Sequence, residues 1–203
     1  MKKHLLTIFT LLWLPLVGQK RILVLGNCTK VCFPGDTTTC FFPSKMLPDS
    51  LSSYDALLIF SSAHSTLTSE NVLSIVNYLH SGKGLYIGCE NWPMIQEGNQ
   101  LTEALFNKRF WGEYAPAHAL ISENSGLFPV TENELNSGTT AVFFPLDHRL
   151  RVEIWAGDEP LLLSSERFGG RLILDGGYSR FYCSEKEQKN ILFEKLVHYL
   201  IAP

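Results

Sequence analysis

Hydrophobic residues change their spacing along the chain in a way that separates strands from helices. Arg21-Ile22-Leu23-Val24-Leu25-Gly26 is a continuous apolar run closed by glycine, the pattern of a strand buried on both faces. Tyr54 to Phe60 repeats it through Ala56-Leu57-Leu58-Ile59-Phe60, and Gly84 to Gly88 gives a third, shorter copy. Between the second and third runs, Val72, Leu73, Ile75, Val76 and Leu79 recur at helical spacing. Thr68 stands as N-cap, Glu70 in the first turn and Gly82 as C-cap. Strand, helix and strand in this order predict a parallel βαβ unit.

The second half has a different texture. Leu101, Leu105 and Phe106 sit at helical spacing within Leu101 to Phe110, whereas Leu150-Arg151-Val152-Glu153-Ile154-Trp155 alternates as a half-exposed strand does. Leu161 to Ser164 and Arg171 to Asp175, joined by a turn ending in Gly169-Gly170, predict a hairpin. Ser184 and Glu187 form a capping box ahead of Ile191, Leu192, Leu196, Val197 and Leu200, which predicts a closing helix. The sum is an α/β three-layer sandwich with a mostly parallel sheet and an antiparallel hairpin extension. No repeat or linker divides it, so residues 19–203 read as one domain.

The N-terminus follows a separate logic. Met1-Lys2-Lys3-His4 is cationic, and Leu5 to Val17 is apolar apart from two threonines and Pro15, before Gly18-Gln19. That is the layout of a secretory signal peptide over residues 1–18. The apolar run is too short for the roughly 20 residues of a membrane-spanning helix, so no permanent span is expected after cleavage. Removal of Lys2 and Lys3 leaves 15 basic against 20 acidic residues. Such a balance gives no positive field for phosphates, so nucleic acid is not an expected partner.

Export to a periplasm or beyond the cell changes how the five cysteines read, because thiols there can stay oxidised. Cys28, Cys32 and Cys40 fall in the loop-like stretch Asn27 to Phe41, where C-x3-C-x7-C lacks a histidine and a C-x2-C pair. One disulfide stapling that loop is a better expectation than zinc. Five is odd, so at least one cysteine is unpaired within the chain.

In a parallel sheet, sites form where the strands end at their carboxyl termini. Those ends carry Asn27-Cys28, Ser61-Ser62-Ala63-His64, Cys89-Glu90-Asn91-Trp92 and Gly176-Gly177-Tyr178-Ser179-Arg180. Cys89 occupies the place of a nucleophile elbow, with a structural thiol or a disulfide to Cys28 or Cys183 as alternatives. Its base would be His64, on a neighbouring strand end, or His118; His148 is a third imidazole. Asn27, Ser61, Ser62, Glu90, Asn91, Tyr178 and Arg180 are the expected ligand-binding residues. A carboxylate at Glu90 raises a neighbouring thiol pKa, which disfavours attack by Cys89. No G-x-G-x-x-G, P-loop or H-E-x-x-H motif occurs, so no nucleotide cofactor and no metal are expected. The aromatic stretches Asn91-Trp92-Pro93-Met94 and Trp111-Gly112-Glu113-Tyr114 read either as a pocket lining or as core.

Three segments carry a family resemblance: Tyr54 to Phe60 leading to Leu67-Thr68-Ser69-Glu70-Asn71-Val72; Tyr78 to Gly88; and Phe168 to Gly177. In order and pattern they resemble the class I glutamine amidotransferase-like superfamily, a flavodoxin-like fold, and in particular its divergent non-amidotransferase branch. The resemblance implies a cysteine flanked by glycines at the elbow and a His-x-Glu pair after a late strand. Here Ile87 and Asn91 flank Cys89 two positions away, and Gly-Gly-Tyr-Ser-Arg follows the late strand without histidine or glutamate. The expectation is therefore an exported, non-catalytic domain binding a small polar ligand or an envelope protein in the carboxyl-end crevice. A cysteine hydrolase using Cys89 and a structural envelope component are the alternatives. Expressed in a secreting bacterial host, the mature protein is expected to begin at Gln19 in N-terminal sequencing; retention of Met1 in the exported fraction would overturn the signal assignment.

Overall fold

The computed structural model describes residues 18–35, 38–114, 119–128, 139–183 and 191–202. Residues 1–17 of the leader expected over residues 1–18, His118 and the Ser184–Glu187 capping pair lie outside the described residues. In chain order the strands are β1 (Lys20–Gly26), β2 (Thr39–Ser44), β3 (Ala56–Phe60), β4 (Gly84–Gly88), β5 (Arg109–Tyr114), β6 (Ala119–Ile121), β7 (Thr140–Phe144), β8 (Arg151–Ala156), β9 (Glu159–Phe168) and β10 (Gly170–Asp175). The helices are α1 (Ser69–His80), α2 (Gln96–Phe106) and α3 (Ile191–Ile201), with a short 3-10 turn at Tyr178–Phe181.

Eight strands form one sheet in the order β2-β1-β3-β4-β10-β9-β8-β6, and β5 pairs with β7 in a separate ribbon. The pairs from β2 to β10 are parallel; those from β10 to β6 are antiparallel. Alternation across the sheet explains the continuous apolar runs. On β4, Leu85 and Ile87 join the core beneath α1 and α2, while Tyr86 joins the core beneath α3. Each fully buried leucine or isoleucine contributes about 1.5–3 kcal/mol, and both faces must be filled.

The expected elements are present with informative differences. Thr68 caps α1 by accepting from the Asn71 amide, and the Asn71 side-chain oxygen accepts the Thr68 amide in return. Helix α2 starts ahead of the Leu101 run and stops at Asn107, whose left-handed φ of 54° ends it. Phe110 then continues into β5 rather than the helix. The stretch read as a cysteine loop runs into β2, an edge strand that tolerates Pro43 because it has no outer neighbour among the described residues. The disulfide does not staple that loop locally. It joins Cys32 to Cys183 across 151 residues, and Cys28, Cys40 and Cys89 are free thiols.

Strand β8 also corrects the half-exposed reading, because Glu153 is fully buried. Its carboxylate accepts from Arg151 Nε at 2.6 Å, Ser164 Oγ at 2.5 Å, Ser125 Oγ at 2.5 Å and the Gly126 amide at 2.9 Å. Burial pushes the Glu153 pKa up, but these donors together outweigh it and hold the group below its ordinary value. Glu153 thus ties β8, β9 and the 122–128 loop through one charge. Because the folded pKa is lowered, its contribution is present above the ordinary glutamate range and is lost as pH falls from that range through the lowered folded pKa. Glu153→Gln is expected to cost about 1–3 kcal/mol at pH 7 and to flatten the acid limb of the stability curve. Denaturant melts at pH 7 and pH 4 check both; equal losses at the two pH values would contradict the assignment.

Candidate functional site

The crevice begins where strand order reverses, between β1 and β3. Gly26 has φ 87°, and a Cβ placed on it would lie 2.0 Å from the Phe60 carbonyl oxygen, so only glycine lets β1 turn against the end of β3. The Asn27 amide then donates to that same carbonyl at 2.8 Å. Asn27 Nδ2 donates to the Tyr178 hydroxyl at 3.2 Å, and the hydroxyl donates to the Ser61 carbonyl at 2.9 Å. The Tyr178 amide donates to the Cys89 carbonyl at 3.2 Å. Four strand-end loops therefore meet on one buried tyrosine, whose phenol is pushed up by burial while Asn27 pulls it back in part.

A second clasp holds the same loops. The Cys32 amide donates to the Phe181 carbonyl and the Cys183 amide to the Lys30 carbonyl, both at 2.9 Å. Val31 and Tyr182 make an antiparallel bridge between them, and the Cys32–Cys183 bond closes the pair.

Above this floor lies an open pocket of about 540 Å³ lined by Gly26, Asn27, Lys45, Ser62, Ala63, His64, Thr66, Met94 and Glu97. Glu97 reaches back from the first turn of α2: its carboxylate accepts the Ser62 amide at 2.8 Å and lies 2.7 Å from the Ser62 hydroxyl. His64 is exposed at the rim. Asn27, Ser62 and His64 are thus brought together, while Ser61 lies beneath, fully buried.

Cys89 is also sealed below. It is fully buried, and Ser61 Oγ lies 3.6 Å from its sulfur. Gly98 of α2 covers it: a Cβ there would approach the sulfur to 2.2 Å, and the Gly98 amide donates to Ser61 Oγ at 2.9 Å. Burial pushes the thiol far up; Ser61 opposes this, and Asp175, Glu97 and Glu90 add to it. Among the described residues no hydrogen bond joins an imidazole to the sulfur. This is the environment of a packed thiol, the reverse of one that stabilises thiolate.

The remaining candidates divide. Arg180 is engaged within the fold, ion-paired with Asp175 and donating to the Gly177 carbonyl at 2.6 Å. Asn91 is exposed, its carbonyl accepting the Met94 amide at 2.9 Å in a turn. Glu90 is buried at 7% exposure; one oxygen accepts the Ser179 amide at 2.7 Å, and Oε1 has no partner among the described residues. Burial raises its pKa, and Ser179, through its side chain and its amide, offsets this only in part. His148 is exposed beside Asp147, away from the crevice loops. The aromatic stretches are neither wholly core nor one pocket lining: Trp92 and Trp111 are exposed, Met94 lines the crevice and Trp111 with Tyr114 line a separate cavity.

Lys45, Thr66 and Glu97 are crevice residues the sequence reading missed. Glu97 had a readable signal, an acidic residue in a first helical turn, but the turn was recognisable only once α2 was started at Gln96. Lys45 follows β2, an edge strand hidden by its proline.

No family model and no curated protein matches the sequence. Solved structures do match the fold. A ThuA-like protein from Bacteroides uniformis superposes with a TM-score of 0.60 at 11% identity, covering 91% of this chain and 92% of its own. The N-terminal domain of mmIFT52 gives 0.57 at 13% identity, covering 91% and 98%. A cytoplasmic protein from Salmonella typhimurium LT2 gives 0.57 at 13%, covering 89% and 95%. The fold is the α/β sandwich of the flavodoxin-like, class I glutamine amidotransferase-like type, with the antiparallel extension on one edge.

Alanine in place of an interior helical glycine ordinarily stabilises by about 1 kcal/mol. Gly98→Ala is expected to do the opposite, costing about 1–3 kcal/mol by driving a methyl group into the sulfur, while Cys89 in the native wild type stays unlabelled by thiol reagents at pH 7. A raised melting temperature for the variant, or rapid labelling of Cys89, would show that α2 does not seal it.

Proposed function

We propose that the protein is an exported, non-catalytic member of the divergent amidotransferase-like branch that binds a small polar ligand in the crevice between β1 and β3. What carries the reading is the separation of the open pocket from the buried thiol. The polar groups of Asn27, Ser62, His64 and Lys45 face about 540 Å³ of open space, whereas the one residue placed for nucleophilic attack is closed beneath Gly98. Ligands of doubly wound sheets bind where strand order reverses, and this pocket sits at that reversal. Donors and acceptors both line it, which suits a small molecule carrying both kinds of group.

Export is supported by the Cys32–Cys183 bond, since such bonds persist in oxidising compartments.

The test is amide-resolved NMR with a panel of free amino acids, small hydroxy acids and short peptides. Binders are expected to shift the amides of Asn27, Ser62, His64 and Glu97, and Asn27→Ala is expected to weaken them at least tenfold, about 1.4 kcal/mol. Cys89→Ser is expected to leave that binding unchanged. Shifts confined to other surfaces, or turnover of an amide substrate that Cys89→Ser abolishes, would overturn the reading.

A further inference from the structure

The ribbon of β5 and β7 carries a second cavity that neither the crevice nor the fold accounts for. On β7, Ala141 and Phe143 point into the core beneath α1 and α2, so Thr140, Val142 and Phe144 take the opposite face. Trp111 of β5 stands opposite Val142, and Tyr114 stands opposite Thr140. Three residues of β5 thus advance against two of β7, a bulge that brings Trp111 and Tyr114 to the same face instead of opposite ones. Strict alternation would have sent one of them into the core.

The result is a cavity of about 260 Å³ lined by Trp111, Tyr114, Phe144, Val142, Glu113 and Glu159. Trp111 is 69% exposed and Phe144 53% exposed, so these aromatic side chains are held at the surface although burial would be favourable. On its far side Tyr114 lies against Gly157, its hydroxyl oxygen 3.0 Å from where a Cβ on that glycine would stand. That contact sets it against the β8–β9 turn, from which Glu159 enters the cavity. Among the described residues both charged groups in the lining are carboxylates; Arg109, paired with Phe144 across the ribbon, is engaged by Glu103 at 2.8 Å.

Aromatic faces present negative potential, and two carboxylates add to it. A hydrated metal ion gains little from indole and phenyl surfaces, and a neutral apolar ligand gains nothing from the carboxylates. An alkylated ammonium group satisfies both, since its methyl groups pack on the rings while its charge is neutralised by the two glutamates. We infer that the β5–β7 ribbon is a binding site for a small quaternary or methylated ammonium compound. The cavity volume lies below the range of drug-sized sites, which limits the ligand to a single head group of that kind. The site stands apart from the β1–β3 crevice and does not depend on it.

Choline chloride is the probe, with 3,3-dimethylbutan-1-ol as its uncharged counterpart of the same shape, in calorimetric titrations of the full chain at constant ionic strength. Choline is expected to bind and the alcohol to bind at least tenfold more weakly. Trp111→Ala and the double change Glu113→Gln with Glu159→Gln are each expected to weaken choline at least tenfold. Trp111 and Glu113 are exposed and Glu159 half-buried, which predicts melting temperatures close to the wild type. Equal affinity for choline and the alcohol, choline affinity unchanged in either variant, or no choline binding up to about 10 mM, a Kd range already weak for a stacked cation, would each overturn the assignment. If Trp111→Ala fails to fold, Trp111→Phe is expected to lower choline affinity while retaining binding; unchanged affinity would count against the site.

Discussion

Asp175 is fully buried at the carboxyl end of β10, and a carboxylate in that position must be answered or the strand could not end there. Tyr86 donates its hydroxyl at 2.7 Å, the Gly177 amide donates at 2.9 Å, and Arg180 supplies the opposing charge. The Asp175 carbonyl meanwhile accepts the Cys89 amide at 2.6 Å. One residue therefore fixes the ends of β4 and β10 together and orients the turn that carries Tyr178. Removing a partner from such a group is costly, because the charge would remain without water to solvate it. The crevice geometry follows from this anchor: Tyr178 reaches Asn27 and Ser61 because its turn has no freedom to point elsewhere.

The clasp between residues 30–32 and 181–183 complements this anchor from outside. Asp175 works through charge and hydrogen bonding in the interior, whereas the clasp holds the same loops by backbone pairing and a covalent bond. The two together tie the crevice floor from inside and outside, whereas Lys45 and His64 above it are exposed.

Much of this architecture was legible in the sequence. Continuous apolar runs predict strands covered on both faces, and β1, β3 and β4 follow that rule. The period of α1 and its capping residues were equally plain, as was the β9–β10 hairpin. The convergence of Asn27, His64, Cys89 and Tyr178 at the strand ends followed from parallel topology alone. What stayed hidden shares one physical cause, that local pattern does not report distant partners. Glu153 looked like the solvated half of an alternating strand because Ser125, Ser164 and the 122–128 loop lie elsewhere in sequence. Cys89 looked like a nucleophile because the glycine that covers it sits on another element. The Cys32–Cys183 pairing could not be chosen over its rivals without knowing that the loops after β1 and β10 meet. The β5–β7 ribbon was missed because its aromatic residues fit a core, a pocket or a surface equally well until the bulge fixed their direction.

The strand order has a consequence for how the molecule comes into being. β10, near the centre of the sheet, lies late in the chain, whereas its neighbour β4 precedes it by more than eighty residues. A nascent polypeptide therefore presents β1, β3 and β4 with an open, apolar flank until the segment around residue 172 emerges to cover it. Pairings of such long separation assemble slowly, and an uncovered edge recruits other chains. Biogenesis of this protein accordingly places a premium on keeping its first half apart from its neighbours until its last quarter has arrived.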